Sequence, residues 1–197
     1  MRKLLLVCWL TIPVAAYAYH KGPGQRQLQL DDVSRILARA DQHASTAEWA
    51  QAEADYEAAL TRLPADQVVE ARRIRLEKAK AQMFIKKLPI AHQDLKSLVD
   101  ELQADPRTDP KFMAEARAAL ANSQYYMTWL MRLEGQPRDK WEPEIESSRQ
   151  IFRLLAEQAE ERGDSKAASR NREDLESSVR LARMDLSDLQ GLPLPSQ

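Results

Sequence analysis

Between Gln25 and Gln190 the chain holds only two glycines, Gly135 and Gly163. Alanine, leucine, glutamate, glutamine and arginine dominate the intervening length, and these residues lose little on entering a helix. No stretch alternates apolar and polar residues between turn signals, as a half-buried strand does. The expected fold is therefore all-α.

Apolar residues recur at helical spacing in about seven segments. Asp31 or Asp32 is placed to cap a first helix whose inner face is Val33, Ile36, Leu37 and Ala40. Ser45-Thr46-Ala47-Glu48 has the form of a capping box and predicts the start of a second helix, which Pro64 ends. A third helix is expected from Asp66 to Lys87. Pro89 fits the first turn of a fourth, which stops before Pro106. Asp109-Pro110 opens a fifth helix that runs to Leu133 and closes at Gly135. Pro143 is expected to open the sixth, which ends near Gly163. Asp164 or Ser165 caps a seventh, with a stripe of Leu175, Val179, Ala182, Leu186 and Leu189. The intervening loops are short, so neighbouring helices should form antiparallel hairpins.

The amino-terminal end reads as a targeting segment. Arg2 and Lys3 precede a nearly all-apolar run from Leu4 to Ala15, and Ala16-Tyr17-Ala18 offers small residues at the two positions a signal peptidase reads. This predicts export to the periplasm or beyond, with cleavage after Ala18; the alternative is an uncleaved membrane anchor. Cleavage removes Cys8, the only cysteine, so the mature chain has no disulfide and no thiolate ligand. Residues 19–29 are expected to be a flexible leader, 30–190 one helical domain, and 191–197 an extended proline-rich tail. Without Arg2 and Lys3 the chain carries 27 basic and 30 acidic residues, a net charge of −3. That balance argues against nucleic acid, which calls for a strongly basic face. After cleavage no stable membrane span is expected.

The first two predicted hairpins share a pattern. Ala40 and Ala52 lie twelve apart, as do Ala79 and Ala91, and the offset between the pairs is 39 residues. At the same offset Tyr56 corresponds to Leu95, Ala59 to Leu98 and Leu60 to Val99. Small residues let two helices approach closely, and the large ones fill the groove. The stretch AEWAQAEADYEAALTRLP, Ala47 to Pro64, resembles the second half of the tetratricopeptide repeat. Trp49 takes the usual aromatic place, and Ala52, Tyr56, Ala59, Leu60 and Pro64 the small, aromatic, small, apolar and proline places. The first half departs from the pattern at Arg39 and His43. The second copy is longer than the usual period of about 34 residues. The resemblance, best over residues 30–106, implies a right-handed α-solenoid of stacked hairpins with a concave face that binds peptides or protein segments.

No phosphate loop, nucleophile elbow or zinc helix is present in the sequence. The reading is a non-enzyme that needs no cofactor and no metal, an adaptor or scaffold for a protein or peptide partner. Its alternative is a structural subunit of a cell-envelope complex, held through broad helix faces. The resemblance turns the first helix of each pair toward the concavity. Arg73 and Lys80, two turns apart on the basic third helix, would supply cations for an anionic group. Tyr125 and Trp129 fall off the apolar stripe of the fifth helix and would supply an aromatic anchor.

Overall fold

The computed structural model describes residues 23–191. The expected signal peptide Met1–Ala18, its Cys8, the leader before Pro23 and the tail beyond Gly191 lie outside the described residues. The chain is all-α: among the described residues there are eight helices and no strand. These are α1 (Pro23–Ser45), α2 (Trp49–Arg62), α3 (Val68–Met83), α4 (Leu88–Ala104), α5 (Pro110–Leu133), α6 (Arg138–Glu161), α7 (Ser165–Arg183) and α8 (Leu186–Gly191). No described helix is long and apolar enough to cross a membrane. The helices gather into two compact units, divided between Ile74 and Arg75.

The first unit is built on the α1–α2 hairpin. Its partners run in opposite directions along the chain. Arg39 pairs with Asp55, the Tyr56 hydroxyl donates to Asp41 Oδ1 at 2.8 Å, and Gln29 Nε2 donates to the Arg62 carbonyl at 2.6 Å. Ala40, Ala52 and Ala59 are completely buried, and Val33, Ile36 and Tyr56 nearly so. α1 starts at Pro23, so the last seven residues expected in the leader are helical. Their side chains are largely exposed, and Arg26 and Gln29 fasten this polar stretch to Asp66 and Arg62.

The expected capping box works the other way round. Ser45 Oγ and Thr46 Oγ1 donate back to the Gln42 carbonyl, at 2.7 and 3.2 Å, and so close α1. Glu48 sits at the N-cap of α2 without a capping bond and faces His43 instead. The turn itself is a six-to-one motif: Glu48 N–H bonds the His43 carbonyl, Ala47 N–H bonds Ala44, and Ala47 is left-handed at φ 59°.

The second unit repeats this turn. Lys87 N–H bonds the Gln82 carbonyl, and Lys86 is left-handed at φ 62°. Ala47 and Lys86 are 39 residues apart, as are His43 and Gln82, and as are Trp49 and Leu88, the first residues of α2 and α4. Ala79, Ala91, Leu95 and Leu98 are buried like their counterparts Ala40, Ala52, Tyr56 and Ala59, while Val99 is buried where its counterpart Leu60 is only partly so. The offset read from the alanines therefore extends to the backbone hydrogen bonds. The same motif closes α5 at Gly135 (φ 70°) and α6 at Gly163 (φ 72°).

Two cores follow along the second unit. Leu76, Leu95, Leu98, Leu102, Phe112, Ala116 and Leu120 join α3, α4 and α5. Trp129, Ile145, Leu181 and Leu189 join α5, α6, α7 and α8. Asp109 caps α5 by accepting from Lys111 and Phe112 N–H, and Asp164 caps α7 by accepting from Ala167 N–H.

Two boundaries differ from the sequence reading. α6 opens at Arg138, so Pro143 lies inside it. Its ring removes one donor, to the Asp139 carbonyl. The position is exposed, and Arg138 and Glu142 pair across the first turn. The seventh stripe breaks at Met184, whose ψ of 142° ends α7. Leu189 is buried from the short α8, while Leu186 is exposed. Arg132 makes the break possible. Its guanidinium donates to the Leu181 and Met184 carbonyls at the end of α7 and lies 4.8 Å over the Trp141 ring.

A non-glycine residue in the left-handed region costs about 1–2 kcal/mol. Ala47→Gly and Lys86→Gly should each therefore stabilise the fold by about 0.5–1 kcal/mol, net of the entropy glycine adds to the unfolded chain. Gly135→Ala and Gly163→Ala should lower stability by a similar amount. Urea denaturation of the four variants checks both signs.

Candidate functional site

The four residues expected to form a groove divide between the two units. Arg73 is exposed on α3 within the first unit, and Lys80, Tyr125 and Trp129 belong to the second. Lys80 is half-buried and clamped by Glu77 Oε1 at 2.8 Å and Glu115 Oε1 at 2.5 Å. Burial pulls its ammonium down, but the two carboxylates outweigh that and hold it above its ordinary value. A cation neutralised from both sides is a poor seat for a partner's anion. Tyr125 lies ten residues beyond Glu115 on α5, about 15 Å along the axis.

Trp129 is a core residue, 8% exposed, packed with Ile145, Leu181 and Leu189. Periodicity sets it off the stripe only if α5 has one apolar face. In fact α5 is covered on more than one side, by α4, α6 and α8. The helix accordingly buries Ala119, Ala121, Ser123, Gln124 and Thr128 as well.

A polar seam runs through this crowded region. His92 Nδ1 lies 3.1 Å from Ser123 Oγ, and its Nε2 lies 3.6 Å from Glu144 Oε2. Serine, histidine and glutamate in contact have the composition of a hydrolytic triad, and no spacing along the chain betrays it because the three lie on three helices. The polarity is wrong for a nucleophile. Ser123 donates its own proton to the Leu120 carbonyl at 2.7 Å, so His92 Nδ1 must carry the hydrogen between them. A serine held as an acceptor by its histidine is not activated. Ser123 is also completely buried. The hydrogen bond to His92 holds the Glu144 carboxyl below its ordinary range, against the opposing effect of burial. Deeper in the seam, Ser148 Oγ donates to the Ala121 carbonyl at 2.9 Å and lies 3.4 Å from Ser178 Oγ. Among the described residues no group of three or more ligating side chains could hold a metal.

What remains of the expected aromatic anchor is Tyr125, joined by Tyr126. The two rings are set edge to face, 5.4 Å apart, and both are half-buried. Across from them on α7 is Asp174. Burial raises both phenols above their ordinary values, and the Asp174 charge adds to the effect on each. Burial likewise pushes the Asp174 carboxyl up, with only a partial offset from Arg170. No salt bridge to Asp174 forms among the described residues. A half-buried carboxylate beside two phenols is an arrangement that costs stability, and it is the best candidate for a binding surface.

No protein-family model matches the chain, and no curated protein matches it.

Trp129→Ala should lower stability by about 3–5 kcal/mol, as large-to-small core changes do, measured by chemical denaturation. Asp174 predicts an opposite sign. Its folded-state value is raised, so its contribution turns unfavourable as pH rises through the carboxylate range. Asp174→Asn should therefore raise the melting temperature at neutral pH, and the gain should vanish near about pH 3, where the wild-type group is protonated in both states.

Proposed function

We propose that this chain is an exported helical-repeat adaptor that binds a protein or peptide partner and performs no catalysis. The observation that carries this reading is the internal repeat. Buried alanines, a left-handed turn residue, its six-to-one hydrogen bond and the first residue of the following helix all recur at one offset of 39 residues. Such an array agrees with the tetratricopeptide-like pattern of Ala47 to Pro64. Arrays of this kind present the first helices of successive pairs together and use that surface for extended segments. In the second unit α5 and α7 hold those positions, and they carry Tyr125, Tyr126 and Asp174. The aromatic faces and unpaired carboxylate suit a partner segment with a lysine or arginine side chain, seated over a ring and against the acid. Export rests on the cationic start, apolar run and Ala16-Tyr17-Ala18, and places the adaptor in the periplasm or outside the cell.

The test uses the full chain, tagged at its carboxyl end, to isolate its partner from envelope extracts of the source organism. Asp174→Asn is the informative variant, because it should be more stable than the wild type and yet bind less. A loss of about tenfold in affinity, on the scale of one hot-spot contact, is expected for Asp174→Asn and for Tyr126→Ser. Unchanged binding in both variants would place the partner elsewhere. Retention of Met1–Ala18 in the intact mass of protein recovered from the membrane fraction would overturn cleavage and release and favour an uncleaved anchor.

A further inference from the structure

The short helix α8 is held by one side chain. It has six residues. Leu189 is completely buried, whereas Leu186, Ser187 and Asp188 are exposed. A cleft of about 510 Å³ lies between Asp188 and the end of α7, with Val179, Arg183 and Met184 on the α7 side. The outer side of α8 is therefore not packed along the helix that precedes it. Fixing six residues costs conformational entropy at each of them, and one buried leucine offsets little of that cost. Segments held in this way open locally while the rest of the fold stays intact.

The place that Leu189 fills adjoins the tyrosine face. Leu189 joins Trp129 of α5, Ile145 of α6 and Leu181 of α7 in one core cluster, and Tyr125 packs against the same cluster. Trp129 lies one turn beyond Tyr125 on α5, and Leu181 lies two turns beyond Asp174 on α7, so each pair shares a helix face. The seat under Leu189 thus continues the tyrosine face, about 10 Å farther along α7. The end of α7 does not depend on α8. Arg132 of α5 donates to the Leu181 and Met184 carbonyls, and neither bond involves α8.

We propose that α8 is an autoinhibitory latch, whose Leu189 fills in cis the seat that an aliphatic side chain of the partner takes. The proposal rests on the reading of the tyrosine face as the partner surface. A cation at Tyr125, Tyr126 and Asp174 and an aliphatic group on Trp129 and Leu181 make a two-point match for an extended segment. In such a segment, side chains three residues apart span about 10 Å. Trp129 is core while the latch is shut and an anchor once it opens. A partner that needs the open form binds with its affinity reduced by the fraction of chains that are open.

Two measurements on the full chain test the latch. In native-state hydrogen exchange the Leu189 N–H, which bonds the Asp185 carbonyl, should exchange at least about a hundredfold faster than the amides of Phe152 and Leu155 in the core of α6. Equal protection overturns the proposal. The second measurement titrates acetyl-Lys-Ala-Ala-Leu-amide into isotopically labelled wild type and Leu189→Ser. The variant should bind at least about tenfold more tightly, with shifts at Tyr126 and at the Trp129 indole, and its denaturation midpoint should stay near that of the wild type. A large loss of global stability shows Leu189 to be ordinary core and overturns the latch. So does the absence of a Trp129 shift in the variant. Equal binding by wild type and variant that Asp174→Asn still weakens overturns the latch and leaves the tyrosine face standing. Tighter binding by Leu189→Ser that Asp174→Asn does not weaken supports the latch and removes the tyrosine face.

Discussion

A helix that ends inside a packed array leaves its last carbonyls without donors, and every later feature of this protein depends on how that is solved. Four helices here close with one device: the chain turns left-handed for one residue, and the next N–H reaches back to a carbonyl five residues earlier. The turn sets where the following helix begins, and with it which side chains face inward. Glycine supplies the left-handed residue at Gly135 and Gly163. Alanine and lysine supply it at Ala47 and Lys86, at a conformational cost that the packing of the hairpins must cover. The buried alanines make that packing close.

This arrangement explains what could be read from the chain and what could not. The two interior glycines marked two of the turns, and Asp109 and Asp164 marked two helix starts, because each signal is local. The 39-residue offset was also legible, since alanine at a crossing leaves its own trace. The turn at Ala47 was misread because Ser45 and Thr46 offer hydroxyls that serve a preceding helix as readily as a following one. Pro143 was misread as a helix start because proline carries no information on whether the helix has already begun. Trp129 was misassigned for a different reason. Periodicity finds one buried face per helix, and α5 is enclosed on several.

The same enclosure accounts for the polar interior. Ser123, Thr128 and Ser178 each bond a carbonyl of their own helix, and Ser148 bonds one of α5. Small hydroxyls allow helices to come close while each keeps a hydrogen-bond partner of its own. His92 and Glu144 extend this pattern to the surface. Of the charged residues singled out from sequence, Lys80 proved to be absorbed by such internal pairing. Sequence shows where a cation is, but its counter-charge lies 35 residues away on another helix. The half-buried carboxylate of Asp174, without a salt bridge among the described residues, was correspondingly invisible.

The recurrence of the turn has a consequence for how such a chain changes length. Residues 48 to 86 begin just after one left-handed residue and end on another. Were they excised, Lys87 would follow Ala47 directly, and its N–H would meet the His43 carbonyl in place of that of Gln82. Ala91 would stand where Ala52 stood, twelve positions after Ala40. The junction would need no new hydrogen bond and no new crossing residue. In-register duplication of the same segment would be equally silent at the seam. The chain is thus divided into interchangeable lengths at the level of its backbone, and a gene encoding it can lose or gain a hairpin without first inventing a way to end a helix.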